Sequence, residues 1–327
     1  MKTKIYIYGL CNVFYDGFYI QGLKEIYSNI EFNISKFPQF NQGCFAFIIE
    51  KDQQVHRVII DSIDGTRINE NELEWCDIYG KVNYNTEYLP IHNQSKIIAI
   101  GPSFGIKFWN LFQTLYYAFF NFIRFRKIIS NKREFVANYW RQYKRFRLKK
   151  YMPVQSSIND VFFINSIWKQ EDTTNNNRAL FIKACKNNTQ VNFEGGFAAR
   201  SNGDNLGFDD LVYSEKIPFE TYLKRIKKSA FVFNTPAVLS CHGWKLAEFL
   251  ALGKAIISTS HYNKLPTDLL NDRHVVYANT NDEINNSINK LISDVDFKRK
   301  LEIESRKYFD DYLAPAKVIT RLIKRHK

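Results

Sequence analysis

The chain has 327 residues, 45% of them hydrophobic, which suits two ordinary globular domains and excludes a disordered chain. Its formal net charge of +13 is concentrated: Phe120 to Lys150 holds eleven Lys/Arg against one acid, Glu134, and the remainder is close to neutral. Five cysteines (Cys11, Cys44, Cys76, Cys185, Cys241) are scattered and odd in number, which excludes a disulfide framework and favours a reducing, cytoplasmic setting.

The opening run MKTKIYIYGL is too short in apolar residues for a signal peptide, and its alternation predicts a first strand over Lys4–Gly9. No uninterrupted apolar run reaches membrane-spanning length. Leu10 to Gly17 follows as a loop, and the spacing of Phe18, Leu23, Ile26 and Tyr27 predicts a helix. Short apolar runs at 30–34, 44–49, 58–61, 76–79 and 96–101 predict further strands, and their alternation with helical stretches argues for an α/β domain with a parallel sheet. From Phe108 to Tyr151 there is no Gly or Pro; this aromatic, basic stretch reads as one or two helices broken near Ser130–Asn131. Pro153 opens a linker.

A second α/β run follows. Strands are expected at 160–164, at 191–194 (ending in Gly195–Gly196), at Phe231–Asn234, at Ala255–Ser258 and at 274–277. Between them, 165–177 reads as a polar loop, and helices are expected at 178–186, 218–228, 281–293, 297–308 and 314–326.

The segment Phe231–Ser258 concentrates the polar chemistry. An apolar strand breaks at Thr235–Pro236, a helix starts after Gly243 and carries Glu248, and Gly253–Lys254 leads to a second apolar strand. In open parallel sheets such strand-to-helix loops are where ligands bind. Read as SCHGWKLAEFLALGKAII, the segment resembles the donor-site segment of the two-domain GT-B glycosyltransferases, of the family 1/4-like, bacterial surface-glycan type. In many retaining members that segment reads Glu, seven residues, Glu, a small-residue helix, then Gly-Lys/Thr-Pro-Val-Ile. Glu248 matches the second glutamate, and Ser240 stands where the first would be.

The resemblance implies two Rossmann-like domains facing across a cleft: an acceptor domain at 1–152, a donor domain at 153–311, and a terminal helix at 312–327 that crosses back onto the first. It implies a nucleotide-sugar donor, with Glu248 on the ribose hydroxyls or, on the plainer reading, facing solvent. It also implies a basic residue facing the diphosphate from the loop that holds Arg200. Independently of it, the helix start at Gly243, Trp244 and Lys245 offers free N–H groups and an ammonium to an anion whose charge grows as the glycosyl bond breaks. His242 would donate to phosphate or sugar, and Trp244 would stack on a base or pack between domains. Asn234 and Thr235 end the preceding strand and would line the pocket. Lys169 and Arg178 are further candidates for the diphosphate, and Ser166 stands where the resemblance calls for arginine. In the first half, Asp16 follows the first strand and would be the general base of an inverting enzyme; Asp64 and His92 are alternatives. Retention and inversion both stay open. No DxD in a suitable place, HxxxH, paired cysteines, G-x-G-x-x-G or Walker sequence is present, so neither a metal nor a cofactor is expected.

Arg141, Lys144, Arg145 and Lys149 would share one helix face by their spacing, with Tyr139, Trp140, Tyr143 and Phe146 elsewhere. Basic residues among rings suit an anionic membrane surface, and they also suit nucleic acid. The expectation is a metal-independent glycosyltransferase at the inner face of the cell membrane, acting on a glycan or lipid-linked glycan in surface polysaccharide synthesis and not on nucleic acid. Three rivals are a basic nucleic-acid-binding protein, a GT-B protein that binds sugars without turnover, and an epimerase of the same fold.

Overall fold

The computed structural model describes residues 3–40 and 43–324. The chain forms two compact units: one runs to Tyr151 and takes in Asn263–Thr267 and the chain from Asp311; the other comprises Met152–Tyr262 and Asp268–Asp310.

The first unit contains β1 (Lys4–Tyr8), α1 (Gly17–Ile26), β2 (Ile30–Asn33), β3 (Cys44–Lys51), β4 (Gln54–Asp61), α2 (Glu70–Trp75), β5 (Ile78–Lys81), β6 (Ile97–Ala99), α3 (Leu111–Phe125) and α4 (Lys132–Tyr143). Its sheet runs β2-β1-β3-β4-β5-β6. The expected parallel sheet is in fact mixed, because β3 is antiparallel to both β1 and β4. The reason is local. Asp52 and Gln53, both left-handed at φ 53° and 67°, make a two-residue turn between β3 and β4. Such a turn reverses the chain and leaves no room for the crossover a parallel neighbour needs. Helix α2 escapes the sequence reading because it is six residues long with only Glu72 and Leu73 buried, too few to show a period.

The basic segment does break where expected, with Asn131 accepting from Glu134 N to cap α4. However, α4 ends at Tyr143, so Arg141, Lys144, Arg145 and Lys149 do not share a helix face. Beyond Tyr143 the chain folds back so that Lys107 N donates to Phe146 O at 2.9 Å, while Gln142, at the end of α4, accepts from Phe108 N through Oε1 at 3.3 Å. These backbone partners outweigh continuation of an exposed, charged helix.

The second unit contains β7 (Asp160–Ser166), α5 (Asp172–Asn187), β8 (Asn192–Ala198), β9 (Val212–Tyr213), α6 (Phe219–Lys228), β10 (Val232–Asn234), α7 (Trp244–Ala251), β11 (Ile256–Ser258), β12 (Val276–Tyr277), α8 (Asn281–Ser293) and α9 (Val295–Tyr308). Strands β7-β8-β9 and β10-β11-β12 pair in parallel throughout. They meet at β7 and β10, where Ala230 N donates to Asp160 O at 2.7 Å. The combined order β9-β8-β7-β10-β11-β12 is the doubly wound, Rossmann-like order, reversing between β7 and β10. Its core is built on Phe163, Phe181, Phe231 and Phe233, with the rings of Phe181 and Phe233 stacked at 4.4 Å.

Two expectations here are corrected. Helix α5 starts at Asp172, six residues before the predicted start, because Thr174, Asn175 and Arg178 are buried and tertiary contacts override the poor helix propensity of TTNNN. Strand β8 does not end before the glycine pair but runs through it to Ala198. A Cβ on Gly195 (φ 130°) would sit 1.7 Å from Phe163 O, and one on Gly196 (φ 154°) 2.3 Å from Leu211 O. The pair therefore lets β8 lie between β7 and β9, rather than stopping it.

The last helix, α10 (Pro315–Lys324), belongs to the first unit and packs on α1. Val318, Ile319 and Leu322 are buried, and a Cβ on Gly22 would lie 2.4 Å from Pro315 O. Residues 325–327 of the predicted tail helix, His326 among them, lie outside the described residues.

Candidate functional site

At the reversal between β7 and β10, two strand ends diverge and their loops leave in opposite directions, which makes a crevice of backbone carbonyls and loop side chains. The structure fills it with cations. Arg178, from the second turn of α5, is buried; its Nε donates to Thr235 Oγ1 at 2.9 Å and its Nη1 to Ser166 O at 2.8 Å. Arg178 thus spans the ends of β7 and β10. Burial pulls its pKa down to about 10, with Glu171 opposing. The loop after β7 is clamped to α5 by Asn175, which donates to Trp168 O at 2.7 Å and accepts from Trp168 N at 3.1 Å.

Lys245, in the first turn of α7, reaches the same strand end and donates to Ile164 O. Its ammonium also lies 5.5 Å from the Tyr222 ring centroid. Burial lowers its pKa to about 7; Arg178 lowers it further, and Glu248 acts against both. Glu248, one turn on, is itself buried on α7, so it is not a solvent-facing helix residue. Gly243 caps this helix with no side-chain hydrogen bond. Neither its φ of −77° nor its surroundings demand glycine: an added Cβ would meet only Ala237 Cβ, at 3.6 Å. No side chain caps the start of α7, which lies beside Lys245 and presents the positive end of the helix dipole there.

The loop into α7 is strained. Leu239 and Ser240 are both left-handed, at φ 54° and 56°, a conformation costing about 1–3 kcal/mol per such residue. Glu171, at the start of α5, holds it by accepting from Leu239 N at 2.6 Å. His242 is buried behind this loop, its ring 5.5 Å from that of His261. Trp244 is partly buried at the helix start.

Sequence reasoning missed His261. It follows β11, and its ring meets Tyr277 Oη at 3.1 Å through Nδ1 and Asn234 Nδ2 at 3.3 Å through Nε2. Burial, then His242, drives its pKa down to about 3, so it stays neutral. Its position just past the carboxyl end of a parallel strand was the available signal. Arg200, by contrast, is tied into its own turn: its Nη1 donates to Asp204 O at 2.9 Å and its backbone N to Asn205 Oδ1 at 3.1 Å. Lys169 is exposed.

In the first unit, Asp16 precedes α1 and is buried, with Oδ2 accepting from Asn12 N at 2.9 Å. Burial raises its pKa to about 7, against the lowering effect of that hydrogen bond. Across the sheet, at the ends of β4 and β5, a buried pair joins Lys81 Nζ to Asp61 Oδ2 at 2.9 Å, and Tyr79 donates to the same oxygen at 2.6 Å. Asp64 and His92 are exposed. Among the described residues, no three His, Cys, Asp or Glu side chains are gathered closely enough to hold a metal ion.

No protein-family model and no curated protein matches the chain. Among solved structures it is similar to the C-terminal domain of a group 1 family glycosyl transferase (LpcC) from Francisella tularensis, at 15% identity over 50% of this chain and 88% of that one, TM-score 0.31. It is also similar to a glycosyltransferase from Rickettsia africae ESF-5, at 10% identity over 94% and 72%, TM-score 0.47. Anabaena Alr3699/HepE in complex with UDP-glucose is similar at 11% identity over 79% and 80%, TM-score 0.40. At these identities and scores the likeness carries no functional argument.

Proposed function

We propose that the protein is a glycosyltransferase that takes its sugar from a nucleotide-sugar donor held by the second unit. The observation that carries this reading is the convergence of Arg178, Lys245 and the uncapped start of α7 on the reversal point of a Rossmann-like sheet, with buried Glu248 one turn further along α7. A diphosphate leaving group gains charge as the glycosyl bond breaks, and two basic side chains beside the positive end of a helix dipole are suited to stabilise it. A buried carboxylate is suited to a pair of ribose hydroxyls, which would give it two charge-assisted hydrogen bonds. Arg178 and Lys245 rest on the carbonyls of Ser166 and Ile164, and a diphosphate would be a stronger acceptor for both. Ser240, His242, Gly243 and Trp244 are assigned to the donor pocket as its loop and helix start. Arg200 is assigned to the diphosphate from the end of β8 once it leaves Asp204.

Asp16 is assigned as the base that takes the acceptor hydroxyl proton, which makes the enzyme inverting. The acceptor is read as a glycan, free or lipid-linked, in surface polysaccharide synthesis, with the protein at the inner face of the cell membrane.

A thermal-shift screen of nucleotide sugars tests the donor site. A donor at a hundred times its dissociation constant stabilises the chain by about 2.7 kcal/mol. That shift is expected for the wild type and is expected to vanish in Glu248→Gln and Lys245→Met. If no nucleotide sugar stabilises the wild type, or if both variants respond as it does, the donor assignment is wrong.

A further inference from the structure

Helix α3 is built inside out. Its inward residues are Thr114, Asn121 and Phe125, spaced by seven and four. The two polar ones are hydrogen-bonded within the unit: Gln142 Nε2 donates to Thr114 Oγ1 at 2.9 Å, and Asn121 Nδ2 donates to Tyr139 Oη at 2.9 Å. Half-buried Tyr117 stacks on Trp109 at 4.6 Å and completes the seat. The opposite stripe (Phe112, Leu115, Tyr116, Phe119, Phe120, Ile123) repeats at three- and four-residue spacing, as a core-facing stripe does. It faces outward instead, with Phe112 82% exposed and Phe119 60% exposed. Scattered exposed apolar residues are ordinary, but six on one helical stripe make a contiguous patch that a soluble surface rarely shows.

The same helix runs into a block of positive charge. Exposed Arg126 and Lys127 follow the stripe at the next three- and four-residue steps, and exposed Lys132 and Arg133 open α4. From Leu111 to Arg133 there is no acid. Fifteen residues make a helix of about 22 Å, short of a bilayer's hydrocarbon thickness. No helix among the described residues is long and apolar enough to cross a membrane.

We propose that α3 lies in the headgroup layer of a bilayer rich in anionic lipid, with Phe112, Leu115, Phe119, Phe120 and Ile123 in the acyl boundary and the 126–133 cluster on the lipid headgroups. The chemistry selects this occupant. A second copy would bring the same positive block against itself, whereas an anionic surface neutralises it. Nucleic acid would meet the charges, but it offers no apolar medium for Leu115 and Ile123. The surface belongs to the first unit and uses none of the residues assigned to the donor site, so it stands or falls separately from the glycosyltransferase reading.

The test is flotation of the full chain with vesicles of phosphatidylcholine alone and of an equal mixture with phosphatidylglycerol, at low and high salt. The wild type should float with the mixed vesicles and lose most of that capture in phosphatidylcholine or high salt. The double variant Phe112→Asp, Phe119→Asp should float roughly tenfold less or weaker still, with its thermal unfolding unchanged because both side chains are exposed. Replacing Lys132 and Arg133 by Gln should reduce capture by mixed vesicles only. The proposal is overturned if the wild type does not float with mixed vesicles, or if the double aspartate variant floats as the wild type does. It is overturned equally if the lipid-free wild type is a dimer that the aspartates convert to a monomer without altering flotation, which would make the patch a subunit interface.

Discussion

Asp16 and Lys245 are the two residues whose chemistry their burial changes most usefully. Water would keep a carboxylate ionised at pH 7, but burial brings Asp16 to about 7, where it can accept a proton and release it again. The sign follows directly. As the proposed base, Asp16 must be deprotonated, so kcat at saturating donor should rise through about pH 7 and level off above it. Asp16→Asn should lower kcat by about 10²–10⁴-fold while leaving the donor-induced thermal shift intact. A variant that keeps turnover would move the base elsewhere. The same raised pKa means that the native state holds a proton the unfolded chain has lost between about pH 4 and 7, so wild-type stability should fall across that window relative to Asp16→Asn. Lys245 works in the opposite sense. With its pKa near 7 it is about half-neutral at that pH, and a bound diphosphate favours its charged form. Donor binding should therefore take up a proton, and affinity should decline as pH climbs above 7. Calorimetry in buffers of different ionisation enthalpy measures that uptake, and Lys245→Arg, which stays charged, should bind the donor without it. Glu248 was singled out in the sequence by the resemblance of its segment, and Lys245 by its place at the start of the helix after Gly243. Arg178 entered the sequence reading only as a further candidate for the diphosphate, since its placement depends on α5 starting early enough to aim it at Thr235, 57 positions away.

At the scale of elements, most strands announced themselves as apolar runs, and the misreadings share a cause. A strand through two glycines looks like a strand that stops. Gly195 is there because two neighbouring strands approach too closely for a side chain. Gly195→Ala should therefore cost several kcal/mol, about 3 or more, from overlap with Phe163 O together with the φ of 130°. Gly203→Ala is the control: its φ is 77°, but an added Cβ meets nothing within 4 Å, so a loss of only about 1 kcal/mol is expected. Circular dichroism melts of the two variants separate crowding from backbone strain. A smaller loss for Gly195→Ala than for Gly203→Ala would contradict the account of β8. The hairpin of β3 and β4 escaped for a related reason. Asp-Gln is a poor sequence signal for a left-handed pair, and only the register of eight paired positions holds it there.

At the scale of the molecule, the first unit is discontinuous in sequence, since α10 returns from the far end of the chain to cover α1. Burying Val318, Ile319 and Leu322 contributes roughly 1.5–3 kcal/mol each. A chain ending at Asp310 should therefore lose the cooperative melting of the first unit, while the core around Phe181 and Phe233, which α10 does not enter, keeps its own transition. A truncated chain that melts as the full one does would refute this division of labour. The overall charge of +13 is likewise a property of one part of the molecule, because most of the excess sits in a single segment rather than over the whole surface.

Local physics is written in the sequence: periodicity separates helix from strand, and Asn131 and Thr280 mark helix starts. The loop between Asn234 and Trp244 stands out by placing Thr235, Ser240 and His242 directly after an apolar strand. These follow from forces acting within a few residues. What the tertiary structure alone decided is which side of an element meets which partner. An apolar stripe such as that of α3 is ordinarily buried in a core. The fold instead turns that stripe outward, because Gln142 and Tyr139 supply hydrogen-bond partners for Thr114 and Asn121, and those partners come from a helix that the sequence of α3 does not contain.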